Sequence, residues 1–313
     1  MGGTARIPDF LSEAASASRS WLCLLSLAAL MFLSGPVNAG ALERLFAPKP
    51  ELWSFWVDHN PTSTIDVDHS VWDQFLAHYV HAGDDGIHRV RYAGVTPAGR
   101  GALGRYISEL QQVPVRQLHR DEQLAFWINL YNAVTVDIVL QYYPVQSIRD
   151  IDISPGLFAQ GPWGKKLLVI EGQRLSLNDI EHAILRPIWR DPRVHYGLNC
   201  ASLGCPNLQQ RAFTAEDASE LLDAAARDYV NHPRGVRVNA GELHVSSIYS
   251  WFRQDFGGSD AAVIAHLKVY ALPALAEALR GFDNIADDDY DWALNAQMAS
   301  VRGAVSDETG ESN

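Results

Sequence analysis

Cysteine is scarce in this chain: three in 313 residues, at Cys23, Cys200 and Cys205. So low a count excludes a small scaffold stapled by several disulfides and a cysteine-rich zinc module. Positive charge is also in deficit, with 25 Lys and Arg against 37 Asp and Glu and a net charge of -12. An acidic surface without a basic cluster disfavours nucleic acid and anionic lipid as partners. After Trp21–Leu33 the chain shows no second long apolar run, no repeat period and no low-complexity linker. Those absences point to one domain and to no membrane segment beyond the N-terminal one.

The apolar run itself is too short to cross a bilayer and is broken by Gly35-Pro36. With the small-residue pattern Val37-Asn-Ala39 behind it, residues 1–39 are expected to be a signal peptide and the protein to be periplasmic or secreted. Arg6 and Arg19 are offset by Asp9 and Glu13, so an uncleaved anchor is the alternative. Cys23 would leave with the signal, and Cys200 and Cys205 would meet an oxidising compartment as an even pair. Residues 40–302 are expected to form the domain and the small, polar residues 303–313 a disordered tail.

Periodicity gives a mixed pattern. Ser70-Val-Trp-Asp73 has the form of a capping box before Trp72, Phe75, Leu76 and Tyr79, and Thr96-Pro97 opens a helix carrying Leu103, Tyr106, Ile107 and Leu110. Ile87 to Ala93 fits a short strand. Asp121 to Ala133, continuing to a stop at Pro144, is a helix apolar nearly all round, which predicts burial. Hairpins are expected at 166–176 across Glu171-Gly-Gln173 and at 237–245, with helices capped by Ser176 and by Thr214–Asp217. Strands and helices do not alternate regularly, so the fold class is α+β: a single mixed domain with a buried central helix, short β-hairpins and surrounding helices.

Two features carry chemistry. On the central helix Glu122, Asn129 and Asn132 share one stripe, and buried amides need partners; they either satisfy loop backbone or line a polar cleft. The run Arg193–Pro206, expected to be strand-like and then turned, holds His195, Asn199, Cys200, Ser202 and Cys205. On a strand His195 and Cys200 face opposite ways, which favours His182 as the base for any thiolate at Cys200.

Phe126-Trp-Ile-Asn-Leu-Tyr-Asn-Ala133, Asp179-Ile-Glu-His-Ala-Ile-Leu-Arg186, Val194–Pro206 and Tyr290-Asp-Trp-Ala-Leu-Asn295 occur in this order. Over about Trp72 to Asn295 the chain resembles the bacterial and plant family catalogued as domain of unknown function 547. It departs from the pattern at Asn207, where a second proline is expected. The resemblance brings no established activity; relatives joined to glutaredoxin-like modules hint at thiol chemistry.

Four readings of the cysteine pair remain open. A structural Cys200–Cys205 disulfide closes so short a loop that it gains only about 2 kcal/mol. A nucleophilic Cys200, with His182 as base and Asn129 or Asn132 orienting it, makes a cysteine-dependent hydrolase or acyl transferase acting in a polar cleft. Glu122, His195, Asn199, Ser202, Cys205 and Asp291 are then candidate binding residues. A thiol–disulfide redox pair departs from the Cys-x-x-Cys spacing. Zinc on His182, His195, Cys200 and Cys205 has no diagnostic spacing. The reading preferred on sequence is the hydrolase or transferase, with no cofactor or metal and an unidentified small molecule or peptide as substrate; its competitor is a non-catalytic binding or scaffold domain.

Overall fold

The computed structural model describes residues 47–156 and 160–297; the expected signal segment and the expected tail lie outside them. The architecture is α+β: helices around a central buried one, with short hairpins at the margin. Helix α1 is Ser70–Tyr79, followed by the hairpin β1 (Val80–Ala82) and β2 (His88–Val90). Ser70 is the first helical residue rather than the cap; it follows His69, and its N–H is taken by Asp68 Oδ1 at 2.8 Å. Helix α2 (Pro97–Leu110) begins as its sequence predicts, with Thr96 Oγ1 accepting from Gly99 N–H at 3.0 Å and proline in the first turn, where its missing N–H costs nothing.

Helix α3, Arg120–Tyr142, is the axle of the fold. It is long and apolar enough to cross a bilayer, a property the sequence reading did not credit to it, yet 89% of its most apolar window is buried inside the protein. Lacking a polar face, it can only be stable when covered on every side. Trp56, from the segment before α1, packs edge-on against Trp127 at 5.1 Å, so the aromatic cluster near residue 55 belongs to the core.

The next hairpin pairs β3 (Leu168–Ile170) with β4 (Gln173–Leu175). Its turn residues Glu171 and Gly172 both have positive φ, 45° and 76°, the conformation that matches a two-residue loop to strand twist. A π-helix, Asp179–Leu185, runs into the single-turn α4 (Arg186–Trp189), and α5 (Val194–Gly197) follows. Helix α6 (Ala218–Val230) buries one apolar stripe, with Ala218, Leu221 and Leu222 in one hydrophobic core and Ala225, Ala226, Tyr229 and Val230 in a second. The second core is closed by β5 (Val236–Asn239), β6 (Glu242–Ser246), α7 (Ser247–Trp251) and α8 (Asp260–Tyr270); α9 (Pro273–Ala278) and β7 (Asp287–Asp289), which pairs parallel to β6, complete the chain.

The strand expected at 193–200 is instead a turn of helix followed by an irregular loop. Residues 194–197 hold helical backbone because Val194 O accepts from Leu198 N–H, and Asn132 pins the next carbonyl and amide, leaving no edge for a strand partner. The segment sits at the seam of the two cores, with Tyr196 in one and Leu198 and Ala201 in the other.

Candidate functional site

Cys200 and Cys205 are both free thiols, Cys200 half-buried and Cys205 buried, with their sulfurs 3.0 Å apart. That is a non-bonded contact about 1 Å longer than a disulfide. Loop geometry creates it: Cys205 N–H donates to Ser202 O, Cys200 N–H points at Cys205 Sγ at 2.9 Å, and Ala201 takes a left-handed φ of 59°. Asn199 stabilises the turn, accepting from Ala201 N–H through Oδ1 and donating to Pro206 O at 2.8 Å.

Tyr290 completes the cluster. Its hydroxyl lies 2.9 Å from Cys200 Sγ and accepts from Ser202 Oγ at 2.9 Å, so Ser202 donates to the phenol and the phenol donates to the sulfur. Its ring is fixed between Trp251 and Trp292, at 4.8 and 4.7 Å. The backbone of the same segment straps the loop, Gly204 N–H to Asp291 O and Leu203 N–H to Ala293 O, both 2.8 Å.

Burial alone would raise both thiols. At Cys200 it is outweighed by hydrogen bonds from Cys205, Ser202 and Tyr290, and that thiol is held below its ordinary range. At Cys205 burial and the neighbouring Cys200 act together and push the thiol well above it. Burial and the adjoining thiols also keep Tyr290 a neutral phenol, hence a donor at neutral pH. The pair is thus asymmetric, with one sulfur poised to ionise and its neighbour holding the proton.

Gly204 is required by this packing. A Cβ there would lie 2.8 Å from Asp291 N and 2.9 Å from Asp291 O, and rigid backbone cannot move aside. Gly204→Ala should push out the strap that carries Tyr290; iodoacetamide alkylation of Cys200 at pH 7 should slow severalfold, and an unchanged rate would show that the phenol does not support the thiolate.

The histidines are placed otherwise than the sequence suggests. His182 is 8% exposed, and its Nδ1 faces Arg186 Nη1 at 3.0 Å. A guanidinium can only donate, so Nδ1 accepts and the ring proton sits on Nε2, which makes His182 a donor rather than the base proposed for Cys200. His195 is buried with Nε2 2.7 Å from Asp255 Oδ2 and Nδ1 3.7 Å from Glu181 Oε1, both nitrogens turned to carboxylates. Among the described residues neither ring hydrogen-bonds Cys200, and no group of three His, Cys, Asp or Glu is arranged to hold a metal ion, the zinc set included.

Neither amide of the polar stripe orients a histidine. Asn129 exchanges two hydrogen bonds with the Phe213 backbone, at 2.8 and 3.0 Å, and Asn132 spans Gly197 O and Asn199 N–H, both at 2.8 Å. Asn132 thereby positions the loop that carries Cys200. Glu122 is buried with Oε1 on Val67 N–H, on the side of α1. Asp291 is an exposed turn residue capping Ala293 N–H, and the side chain its segment brings to the thiols is that of Tyr290.

Behind the thiol loop lies a second polar cluster that sequence reasoning missed. Arg186, its side chain 2% exposed, donates from Nε to Asp255 at 2.6 Å and from Nη1 to Pro48 O at 2.8 Å. Glu181 accepts from the Tyr131 hydroxyl at 3.1 Å. The π-helix makes this clustering possible, since its wide turn sets Glu181 toward His182 and His195 together. Pro187 supplies no N–H to the carbonyls of His182 and Ala183, and Glu51 and Trp53 of the N-terminal arm supply theirs, at 2.9 and 3.0 Å. The available signal was Asp179–Arg186, where four titratable residues precede a helix-breaking proline.

Residues 115–230 match the family model described as "Protein of unknown function, DUF547", so over that span the chain is similar to that family. The match takes in α3, the π-helix and both thiols, and stops short of Tyr290. No curated protein and no solved structure matches the chain.

Proposed function

We infer that this protein works through its paired thiols, as a thiol–disulfide exchange protein in which Cys200 attacks and Cys205 resolves. The observation that carries the reading is the 3.0 Å sulfur–sulfur contact in which one thiol is stabilised as thiolate and the other is not. The Cys200 thiolate attacks one sulfur of a substrate disulfide, forming a mixed disulfide and expelling the other sulfur as a thiolate. Cys205 then loses its proton and attacks Cys200 Sγ, closing the Cys200–Cys205 disulfide and releasing the second substrate thiolate. The substrate is reduced by two electrons and the protein oxidised; an external dithiol returns the pair to its starting state.

The acyl-transfer reading needs a histidine that takes the proton of Cys200, and His182 Nδ1 and His195 Nε2 are engaged elsewhere. The scaffold reading needs a pair that stays oxidised. Four measurements test these readings. With a peptide disulfide as probe, Cys200→Ser should abolish exchange, whereas Cys205→Ser should stop at a mixed disulfide visible by mass spectrometry. Tyr290→Phe should raise the pH at which Cys200 is alkylated. A Cys205→Ser protein that turns over an ester probe would overturn exchange in favour of acyl transfer; a pair that resists mild reductant would make it a structural staple.

A further inference from the structure

We propose that the cleft floored by Arg186 and Asp255 binds a small organic monoanion, a carboxylate with an apolar body, and that Arg190 is its charge partner. The cleft has a volume of about 460 Å³, within the range of small-molecule sites. One wall is built by the N-terminal arm, whose Pro50 and half-exposed Leu52 are held in place by the backbone bonds of Glu51 and Trp53 to the π-helix; Pro187 faces the same space. These apolar surfaces suit the body of the ligand.

Its charge is set by what is left unpaired. Asp255 is engaged by Arg186 at 2.6 Å and by His195 at 2.7 Å. Asp191 is engaged by Arg193 at 2.6 Å. Arg190, exposed on the same cleft, has only a 3.4 Å contact from Nε to Pro187 O and no carboxylate partner among the described residues. Both acids of the lining are ion-paired, Asp191 with an Arg193 that it shares with Asp223, and Arg190 is not, so Arg190 is the charged group of the cleft left free to meet a ligand. A guanidinium matches a carboxylate through two parallel N–H donors.

Arg190 also occupies a conformation that does not suit it. It ends α4 with φ 53° and ψ 31°, a left-handed position where glycine or asparagine is the unstrained choice. The backbone at 190 therefore favours a different residue, and the cleft is the neighbour that uses this one.

The test uses hexanoate and benzoate as probes, with hexylamine as the counter-probe, followed by titration of the arginine Nε–H resonances of the full chain. Both carboxylates should shift the Arg190 signal saturably, and hexylamine should not. Arg190→Gly should weaken carboxylate binding at least tenfold while leaving the urea midpoint equal or higher, because glycine relaxes the backbone; Arg190→Lys should keep part of the affinity. Cys200→Ser should bind as the parent does, since the cleft does not depend on the thiol reading. No saturable shift with either carboxylate, equal binding of hexylamine, or full affinity in Arg190→Gly would each overturn the proposal.

Discussion

Taken from pH 7 to pH 4, the folded chain should lose much of its stability. His69 and His182 are both buried, and burial holds each ring down at about 4 against an ordinary 6.5. Their surroundings explain why a second proton is unwelcome. His69 spends Nδ1 on the Tyr106 hydroxyl at 2.6 Å, and its Nε2 is buried without a partner, so a protonated ring would strand an N–H. His182 already faces the Arg186 guanidinium. A base whose folded pKa lies below its unfolded value takes up a proton on unfolding. Its contribution is therefore complete above about pH 6.5 and is lost as pH falls toward 4. Each ring is worth about 3 kcal/mol, and the two together approach the whole stability of many domains. His266, held down to about 4 first by burial, acts in the same direction. Urea unfolding at pH 7, 6, 5 and 4 reads the effect directly; a midpoint constant over that range would show that the rings are charged in the native state.

Below pH 4 a different group takes over. Burial would raise the Asp255 carboxyl, but hydrogen bonds from His195 and Arg186 hold it down to about 2. A depressed acid stabilises above its unfolded pKa and loses that contribution as pH falls from about 4 to 2. Removing the carboxylate tests the same contact at neutral pH. Asp255→Ala leaves the Arg186 guanidinium, 2% exposed, without its counter-charge and frees a buried His195 nitrogen, and should cost about 3 to 5 kcal/mol. The double variant Asp255→Leu with Arg186→Met should recover most of that loss, because the expensive element is the lone charge rather than the missing pair. A single variant within about 1 kcal/mol of the parent would mean that Pro48 O and His182 suffice for Arg186.

What the sequence disclosed followed physical range. Thr96 at its cap, Pro144 beyond the end of the central helix, and the turn at Glu171-Gly172 are local signals, and each marks the element it should. The amides Asn129 and Asn132 were recognisable as buried polar groups needing partners, yet a one-dimensional stripe does not say whether the partner is backbone or a reacting side chain; here it is backbone. The π-helix escaped because the spacing that marks an amphipathic helix is the same for normal and widened turns over seven residues. The strand expected through His195 failed because Val194 and Tyr196 favour strands by composition, while Asn132 and the two cores impose a helical turn. Asp255 and Tyr290 escaped for a third reason: each meets its partners across 60 residues or more, and no pattern in the neighbourhood of a residue reports such a meeting.

The strap that carries Tyr290 has a consequence for the order in which the protein comes into being. Cys200 leaves the ribosome 90 residues before the tyrosine that supports its thiolate. Until then the loop lacks Asp291 O and Ala293 O, which hold Gly204 and Leu203, and Asn295 N–H, which holds Ala201 O. In a nascent chain Cys200 therefore lacks that support, and its sulfur gains the Tyr290 hydrogen bond only when the last described segment is laid across it.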